Sequence, residues 1–308
     1  MRYGACILML VLSLTRSALA APEDKRSSAV LSTTASLAHD GVERNYRIYV
    51  PDGPGPFPVV FVLHGLATTG IAMERYTKFS KLAAEEKFIA VYPDGINKRW
   101  NDRYYWAGST NDVGFIAVLL DYIEANYSVD TSRVYVTGAS NGGMLANRLA
   151  CDMGERFAAI AAVMADIPYL VQRRSHTATP LPILIINGTK DPLVPFGRTQ
   201  ALQQKLNIVT ARQTVDFWVS MNGCTMTPVV TQLPDKAPED GTRIEEWKYA
   251  PGSAHAEVIF YAIKEGGHTW PGAPVRNSVL SGLYGKTSQD MDATKVIWKF
   301  FKQHTRQQ

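Results

Sequence analysis

Ser140 lies at the centre of the pentapeptide GASNG, which directly follows the alternating residues RVYVT. A strand that turns at once into a helix needs residues that tolerate a strained backbone, and Gly138 and Gly142 have no side chain to clash there. Such a turn lifts a serine hydroxyl above the end of the strand, where it can act as a nucleophile. The pentapeptide alone arises by chance in many proteins. Its place between a β-branched strand and a helical stretch favours this interpretation over an ordinary glycine-rich turn.

A serine hydroxyl becomes an effective nucleophile only when a base takes its proton and a carboxylate orients that base. Around such a turn the order is serine, carboxylate, histidine, with each residue on a loop after a strand. Asp191 follows the apolar run LPILIING, although an acid before proline is also a common turn residue. His268 follows a predicted strand and lies among glycines, whereas His255 precedes a strand and His304 lies in a polar tail. We therefore predict Ser140, Asp191 and His268 as a catalytic triad, the alternative for His268 being an ordinary surface histidine.

Acyl transfer by such a triad also needs hydrogen-bond donors aimed at the oxyanion that forms during attack. The first predicted donor is the backbone N–H of Asn141, directly after the nucleophile. The second is the backbone N–H of Leu66, in the loop that follows VVFVLHG. His64 in this loop precedes the acid in the chain, so we interpret it as a buried residue that supports the loop and as a weaker rival to His268 for the base.

The elements that would position these residues alternate between strands and helices. A hairpin is predicted around Asp40 and Gly41, and a helix from about Ala72 to Glu86. The further predicted strands are FPVVFVLHG, FIAVYPDG, RVYVTG, FAAIAAVMA, LPILIING and AEVIFYAI, and the further predicted helices are VGFIAVLLDYIEANY, Asn141 to about Asp152, about Thr210 to Ser220, and ATKVIWKFF. The predicted fold class is therefore α/β, with a mainly parallel central sheet, helices on both of its faces and an N-terminal antiparallel hairpin.

The first twenty residues have the features of a cleaved signal peptide, which are a basic start, a short apolar run and a small-residue end at Ala18-Leu19-Ala20. We expect residues 21–308 to form a single catalytic domain that is secreted or periplasmic; an uncleaved anchor is the alternative. Removal of Arg2 and Arg16 lowers the formal charge from +4 to +2 (4 − 2), and the basic residues are scattered. This charge pattern gives no indication of a nucleic-acid partner.

Cleavage would leave two cysteines, Cys151 and Cys224. An even count in an exported protein permits one disulfide, and two separate buried thiols are the alternative. The sequence contains neither HExxH nor paired cysteine and histidine spacings, so we expect no metal and no cofactor.

Several segments together resemble the secreted polyhydroxybutyrate depolymerase and feruloyl esterase group of α/β hydrolases, and the similarity runs from about residue 30 to 303. The segments that carry the resemblance are LHG, GASNGGM, GTKD with the following VP, and GGHTWPG, with YPDGINKRWN and NDVGFI in support. GGHTWPG is far more specific than the serine pentapeptide. The resemblance implies the α/β-hydrolase fold and hydrolysis of carboxylic esters outside the cytoplasm, without a cofactor.

Carried over residue by residue, the resemblance implies Ser140 as nucleophile, Asp191 as the orienting acid, His268 as base, and Leu66 with Asn141 as oxyanion donors. The chain departs from the group in one place, because many relatives have a cysteine pair where this sequence has DRYYWAGST. The catalytic fold would also occupy nearly all of the expected mature chain. We therefore expect no separate polymer-binding domain, which favours soluble or oligomeric esters over solid polymer.

Aromatic residues follow the second buried strand in the segment NKRWNDRYYW. Trp100 and Trp106 with Tyr104 and Tyr105 could bind a phenolic acyl group or a sugar ring, or could pack the loop onto the body. Trp270, two residues after the candidate base, is expected to line the cleft. The remaining tryptophans are expected in the core, and they are Trp218, Trp247 and Trp298.

The sequence thus predicts a secreted serine esterase that acts on hydroxycinnamoyl or polyhydroxybutyrate-type esters, whether small, oligomeric or polymeric. The same triad could serve an acyltransferase, which differs only in excluding water from the acyl-enzyme. A serine peptidase is another alternative, although relatives of that kind commonly carry an additional gating domain. A non-catalytic protein on this fold usually lacks a triad member, and all three candidates are present. The oligomeric state stays open.

Overall fold

A computed structural model describes residues 32–103, 110–175, 179–194, 196–197, 207–252, 255–274 and 282–306. Within these residues one sheet contains ten strands: β1 (Thr33–His39), β2 (Val42–Tyr49), β3 (Phe57–Leu63), β4 (Ile89–Pro93), β5 (Val129–Ala139), β6 (Ala159–Val163), β7 (Ile183–Gly188), β8 (Val229–Gln232), β9 (Arg243–Tyr249) and β10 (Val258–Lys264). The helices are α1 (Gly70–Thr77), α2 (Phe79–Glu86), α3 (Asp112–Asn126), α4 (Asn141–Met153), α5 (Tyr169–Arg174), α6 (Ala211–Met221) and α7 (Ala293–Phe301).

The sheet has the strand order β1-β2-β4-β3-β5-β6-β7-β10-β9-β8. The six central strands, from β4 through β10 in this order, are parallel. The β1–β2 hairpin at one edge and β9–β8 at the other are antiparallel additions. The predicted fold class is confirmed. Because parallel strands end at the same edge of a sheet, the loops after β3, β5, β7 and β10 lie along one edge.

Burial on both faces explains why the central strands are almost continuously apolar. All seven residues of β3 are buried. Val59, Phe61 and Leu63 face one apolar layer, which also contains buried residues of α3, α4 and α6. Val60 and Val62 face the opposite layer, with buried residues of α1, α2 and α7. This alternation follows from the two-residue period of a strand. It gives the sheet two apolar faces, and helices pack on both of them.

The predicted hairpin turn lies at Asp40 and Gly41, which both have positive φ values, 51° and 73°. The flanking residues His39 and Val42 pair directly, so the turn contains two residues. A two-residue hairpin turn of type I′, whose twist matches the right-handed twist of the strands, requires positive φ at both central positions.

The structure differs from the prediction in three elements. The predicted helix from Ala72 to Glu86 is two helices, because Lys78 adopts φ 59° and ends α1 before α2 begins. The helix α5 and the β8–β9 hairpin were not predicted. All four residues of β8 are exposed, so this strand lacks the alternating apolar pattern that would identify it.

Cys151 and Cys224 are free thiols, the first partly buried and the second buried. The alternative of two separate thiols is therefore what the structure contains, and the disulfide is not formed. Among the described residues no helix has both the length and the apolar character needed to cross a membrane.

A buried ion pair anchors α3 and the segment after β4 to the sheet. Arg44 Nη2 on β2 donates to Asp112 Oδ1 at 2.6 Å, and both side chains are almost fully buried. Asp112 Oδ2 accepts from the N–H of Asn101 at 2.6 Å and from Thr110 Oγ1 at 2.9 Å. One carboxylate thus joins Arg44 on the sheet to both Asn101 and Thr110.

Replacing Asp112 with Asn should lower the free energy of unfolding by about 3–5 kcal/mol, because it leaves the Arg44 charge buried without a counter-ion. Urea unfolding measures this loss. The matched control is Asp121→Asn on the same helix, where Asp121 is 61% exposed and pairs with Arg156 at 2.6 Å. Loss of that exposed pair should lower the free energy of unfolding by less than about 1 kcal/mol. Equal losses in the two variants would contradict the role given to the buried pair.

Candidate active site

Ser140 lies at a sharp turn between β5 and α4. Its φ of 54° and ψ of −121° are strained for a residue with a side chain. The turn is fixed on both sides, since the Ser140 N–H donates to the Val163 carbonyl at 2.9 Å and the Ser140 carbonyl accepts from the Met144 N–H at 2.8 Å. The predicted strand–turn–helix is therefore present, with the serine at its apex.

Close backbone contacts explain the two glycines of the turn. A Cβ atom on Gly138 would lie 2.4 Å from the carbonyl oxygen of Gly142. A Cβ atom on Gly142 would lie 2.5 Å from the carbonyl oxygens of Leu63 and His64, at the end of β3. The start of α4 thus passes directly over the loop after β3, and only glycine fits there.

His268 and Asp191 are in direct contact at the same edge of the sheet. His268 Nδ1 donates to Asp191 Oδ2 at 2.7 Å, and both side chains are buried. Asp191 Oδ1 accepts from the N–H groups of Leu193 at 2.8 Å and Val194 at 2.7 Å. The carboxylate is therefore fixed by its own loop. A protonated Nδ1 leaves the other imidazole nitrogen of His268 with its lone pair, as a general base requires.

The parallel pairing of β7 and β10 brings the loops of these two residues together. Thr189, after β7, donates its N–H to the Ile263 carbonyl at 2.9 Å, and Lys190 donates to the Gly266 carbonyl at 2.9 Å. The His268 N–H donates to the Tyr284 carbonyl at 2.6 Å. These backbone bonds set the separation at which the imidazole reaches the carboxylate.

The two predicted oxyanion donors belong to the loop after β3 and to the start of α4. Leu66, in the loop after β3, is 64% exposed. The adjacent Gly65 is close to the nucleophile, because a Cβ atom there would lie 3.6 Å from Ser140 Cβ. Asn141 is the first residue of α4, where an N–H has no carbonyl acceptor within the helix. The loop that contains Leu66 is therefore close to the serine, and the Asn141 N–H directly follows the serine in the chain.

The expectation that Trp100 and Trp270 contact substrate is wrong, because each is only 1% exposed. Trp270 Nε1 donates to Thr294 Oγ1 at 3.1 Å, its N–H donates to the Tyr76 hydroxyl at 2.9 Å, and its ring packs edge-on against Phe79. It joins the loop of His268 to the core. The other residues of the aromatic loop, Tyr104, Tyr105 and Trp106, lie outside the described residues.

Trp218 and Trp298 are buried as predicted, whereas Trp247 is only partly buried and packs against the core. In the part of the chain that the structure describes, no group of three or more histidine, cysteine, aspartate or glutamate residues could hold a metal ion.

His64 is fully buried and supports the loop after β3, as predicted. Its Nδ1 donates to the Gly65 carbonyl at 2.7 Å, and its Nε2 accepts from the Gly95 N–H at 2.9 Å. Burial lowers the pKa of His64 below its ordinary value of 6.5, against smaller opposing effects of the Gly65 carbonyl, Asp94 and Asp112. The imidazole is thus held neutral, with an acceptor nitrogen that the Gly95 N–H needs.

The role of the Asn141 side chain was not predicted from the sequence. Its Oδ1 accepts from the Trp100 N–H at 2.7 Å, and its Nδ2 donates to the Trp100 carbonyl at 3.2 Å. The partners are 41 residues apart in the chain, so local pattern contains no signal for this contact.

Replacing Gly142 with Ala should lower the free energy of unfolding by about 3 kcal/mol, because the added methyl group meets two backbone oxygens that cannot rotate away. Thermal and urea unfolding measure this. Gly154→Ala is the matched control, since a Cβ there meets its nearest atom at 3.8 Å and Gly154 has an ordinary helical φ of −56°. A Gly142→Ala protein as stable as Gly154→Ala would contradict the close approach.

His64 should make the protein less stable as the pH falls below about 6.5. With a folded pKa below the unfolded value, the unfolded chain binds more protons in this window, so the free energy of unfolding rises with pH. The contribution is complete above the unfolded pKa and is lost as the pH falls towards the folded pKa. Urea unfolding at about pH 7.5 and about pH 5.5 should show a larger drop for the wild type than for His64→Gln, which does not titrate. Parallel profiles would exclude this contribution.

The chain is similar in sequence and in fold to known esterases. The model of a family described as putative esterase matches residues 39–214, more than half of the chain. Putative esterase NocK of Nocardia uniformis subsp. tsuyamanensis is 30% identical over 280 residues, which cover 84% of this chain and 80% of NocK. Probable feruloyl esterase C of Aspergillus niger is 25% identical over 279 residues, 87% of each chain.

Among solved structures, acetyl xylan esterase from Aspergillus awamori matches with a TM-score of 0.56 and 18% identity, covering 81% of this chain and 98% of that one. At this identity the likeness shows a common fold. Taken with the family match and the NocK alignment, it identifies the chain as a member of the putative esterase family, a serine carboxylic-ester hydrolase with the α/β-hydrolase fold.

Proposed function

We propose that Ser140, His268 and Asp191 are the catalytic triad of this esterase, and that the N–H groups of Leu66 and Asn141 bind the oxyanion. The observation that carries the proposal is the 2.7 Å bond between His268 and Asp191, at the edge of the sheet where the strained turn presents Ser140. Asp191 receives two further N–H bonds from its own loop, so it can orient the imidazole without moving.

The reaction proceeds in two halves through an acyl-enzyme. His268 Nε2 takes the proton of Ser140 Oγ as the oxygen attacks the ester carbonyl carbon, and the carbonyl oxygen becomes an oxyanion. The bond to the alcohol oxygen then breaks, and His268 returns the proton to the leaving alcohol. In the second half His268 deprotonates water, which attacks the acyl-enzyme. The acid leaves and the proton returns to Ser140.

The substrate class that we propose is a hydroxycinnamoyl ester of the feruloyl type, with 3-hydroxybutyrate esters as the second candidate. Relatives named as feruloyl esterases, from Aspergillus niger and Neurospora crassa, each match 87% of this chain. The second candidate is supported by the resemblance of GGHTWPG to polyhydroxybutyrate depolymerases. Since Trp100 and Trp270 are buried, neither acyl group is recognised by those two rings.

We further propose that residues 1–20 are a signal peptide removed on export and that residues 21–308 are one secreted or periplasmic catalytic domain. Support comes from the basic start, short apolar run and small-residue end of this segment.

The test is release of acid from methyl ferulate and from a soluble 3-hydroxybutyrate oligomer, measured side by side. Ser140→Ala should lower kcat by about 10⁴-fold or more on both, with unchanged urea unfolding, since it removes only the nucleophile. Ser220→Ala, an exposed serine on α6, is the control and should retain full activity. If Ser140→Ala kept most of the activity, the triad would be wrong.

The ratio of the two rates decides between the acyl groups. A faster rate on ferulate supports the first candidate, and a faster rate on the oligomer supports the second. Adding an alcohol acceptor tests the alternative of acyl transfer, because a transferase would yield a new ester in place of the free acid. A peptide-bond substrate tests the peptidase alternative in the same assay.

A further inference from the structure

The two N–H groups that would bind the oxyanion belong to separate segments of the chain. Leu66 lies in the loop after β3, and Asn141 starts the helix after β5. Stabilisation of an oxyanion requires both donors to be held in place before the reaction, because a displacement of about 1 Å can cost a hundredfold in rate. Some contact must therefore fix the distance between them.

The residues on both sides of Leu66 are held by hydrogen bonds. The Gly65 carbonyl accepts from His64 Nδ1 at 2.7 Å, and the Ala67 N–H donates to the Lys98 carbonyl at 2.8 Å. Ala67 itself has a φ of 62°, so the loop is held in a strained conformation rather than an extended one. The direction of the Leu66 N–H is thereby set from both of its neighbours.

The same segment after β4 that holds Ala67 also holds Asn141. The Asn141 carboxamide both accepts from the Trp100 N–H and donates to the Trp100 carbonyl. Trp100 Nε1 in turn donates to the His64 carbonyl at 2.8 Å, and its ring lies 4.8 Å from the His64 ring. His64 Nε2 accepts from the Gly95 N–H, which links His64 back to the segment after β4. Every link in this chain is buried or partly buried.

We infer that the side chains of Asn141, Trp100 and His64 form a positioning network that sets the separation of the two oxyanion donors. None of the three touches substrate. The network acts through the backbone of Leu66 and Asn141, and the inference rests on the proposed function of those two N–H groups. Its loss affects the transition state, in which the oxyanion exists, more than the binding of the ester.

Two substitutions break the network at different links. Asn141→Ala removes both bonds to the Trp100 backbone, and Trp100→Phe removes the indole N–H that reaches the His64 carbonyl while keeping an aromatic ring. Each should lower kcat on p-nitrophenyl acetate by about ten- to a hundredfold, with KM changed by less than about twofold. The kcat values are taken per active serine, titrated with a fluorophosphonate, so that unfolded protein does not count.

The chain offers a matched control for the asparagine. Asn222 brackets the backbone of Leu181 in the same way, accepting from its N–H at 3.1 Å and donating to its carbonyl at 2.7 Å. Asn222→Ala therefore removes the same pair of bonds at the opposite end of β7. It should lose stability but keep kcat within about twofold.

The tryptophan has a control of the same kind. Trp218 is fully buried, and its Nε1 donates to Asn147 Oδ1 on α4 at 2.8 Å. Trp218→Phe removes a buried indole N–H hydrogen bond as long as that of Trp100. The bond reaches α4 at Asn147, away from the start of the helix. This variant too should keep kcat within about twofold.

A transition-state analogue supplies a readout that a merely structural role would not change. Benzyl trifluoromethyl ketone forms a hemiketal oxyanion on a catalytic serine, so its inhibition constant should rise by the same factor as kcat/KM falls. The inference is overturned if Asn141→Ala and Trp100→Phe match their controls in kcat and in the inhibition constant. That outcome leaves the triad intact, whereas an active Ser140→Ala would overturn the triad whatever these variants do.

Discussion

The backbone of α4 begins in contact with the carbonyl oxygens at the end of β3, and the arrangement of the site depends on this approach. The contact is possible because β3 and β5 pair in parallel up to Leu63 and Gly138, so their loops leave the sheet side by side. One strand then turns into a helix while the other turns into the loop of Leu66. A residue larger than glycine at position 142 would force the two apart and separate Ser140 from the loop of Leu66.

Buried and partly buried polar groups extend this rigidity to Asn101 and Arg103, which follow β4. Asp112 bonds to both Asn101 and Thr110, and Arg148 Nη1 on α4 donates to the Asn101 and Arg103 carbonyls at 2.9 Å and 3.0 Å. The helix α4 and the segment after β4 are therefore joined at two points. Asn141 makes the contact at the first residue of α4, and Arg148 makes the second contact two turns later. Buried groups that are fully hydrogen-bonded specify one arrangement, because any alternative leaves them unpaired.

The sequence predicted the parts of the molecule that depend on local pattern. The alternating residues before GASNG predicted the strand–turn–helix at Ser140. The chain order of the candidate acid and base indicated Asp191 and His268, which the structure brings into contact. The same reasoning missed β8, whose residues are all exposed, and the break at Lys78, where a lysine adopts a conformation that glycine usually supplies.

The roles of Trp100 and Trp270 were mistaken for a related reason. An indole has a large apolar body and one N–H, so its composition suits a binding cleft and a core equally well. What decides between them is the partner of that N–H, which is the His64 carbonyl in one case and Thr294 in the other. Those partners are 36 and 24 residues away in the chain, beyond any local pattern.

The two free thiols of the described chain determine how it responds to oxidants. Burial raises the pKa of Cys151 to about 12, and the pKa of the buried Cys224 is raised for the same reason, while its Sγ donates to the Ala256 carbonyl. Only the thiolate exchanges with disulfides, so at neutral pH almost none of either cysteine can react. The folded state of this part of the chain needs no oxidant to form, and a reductant has no covalent link there to break. Its stability therefore comes from non-covalent interactions alone, in reducing and oxidising surroundings alike.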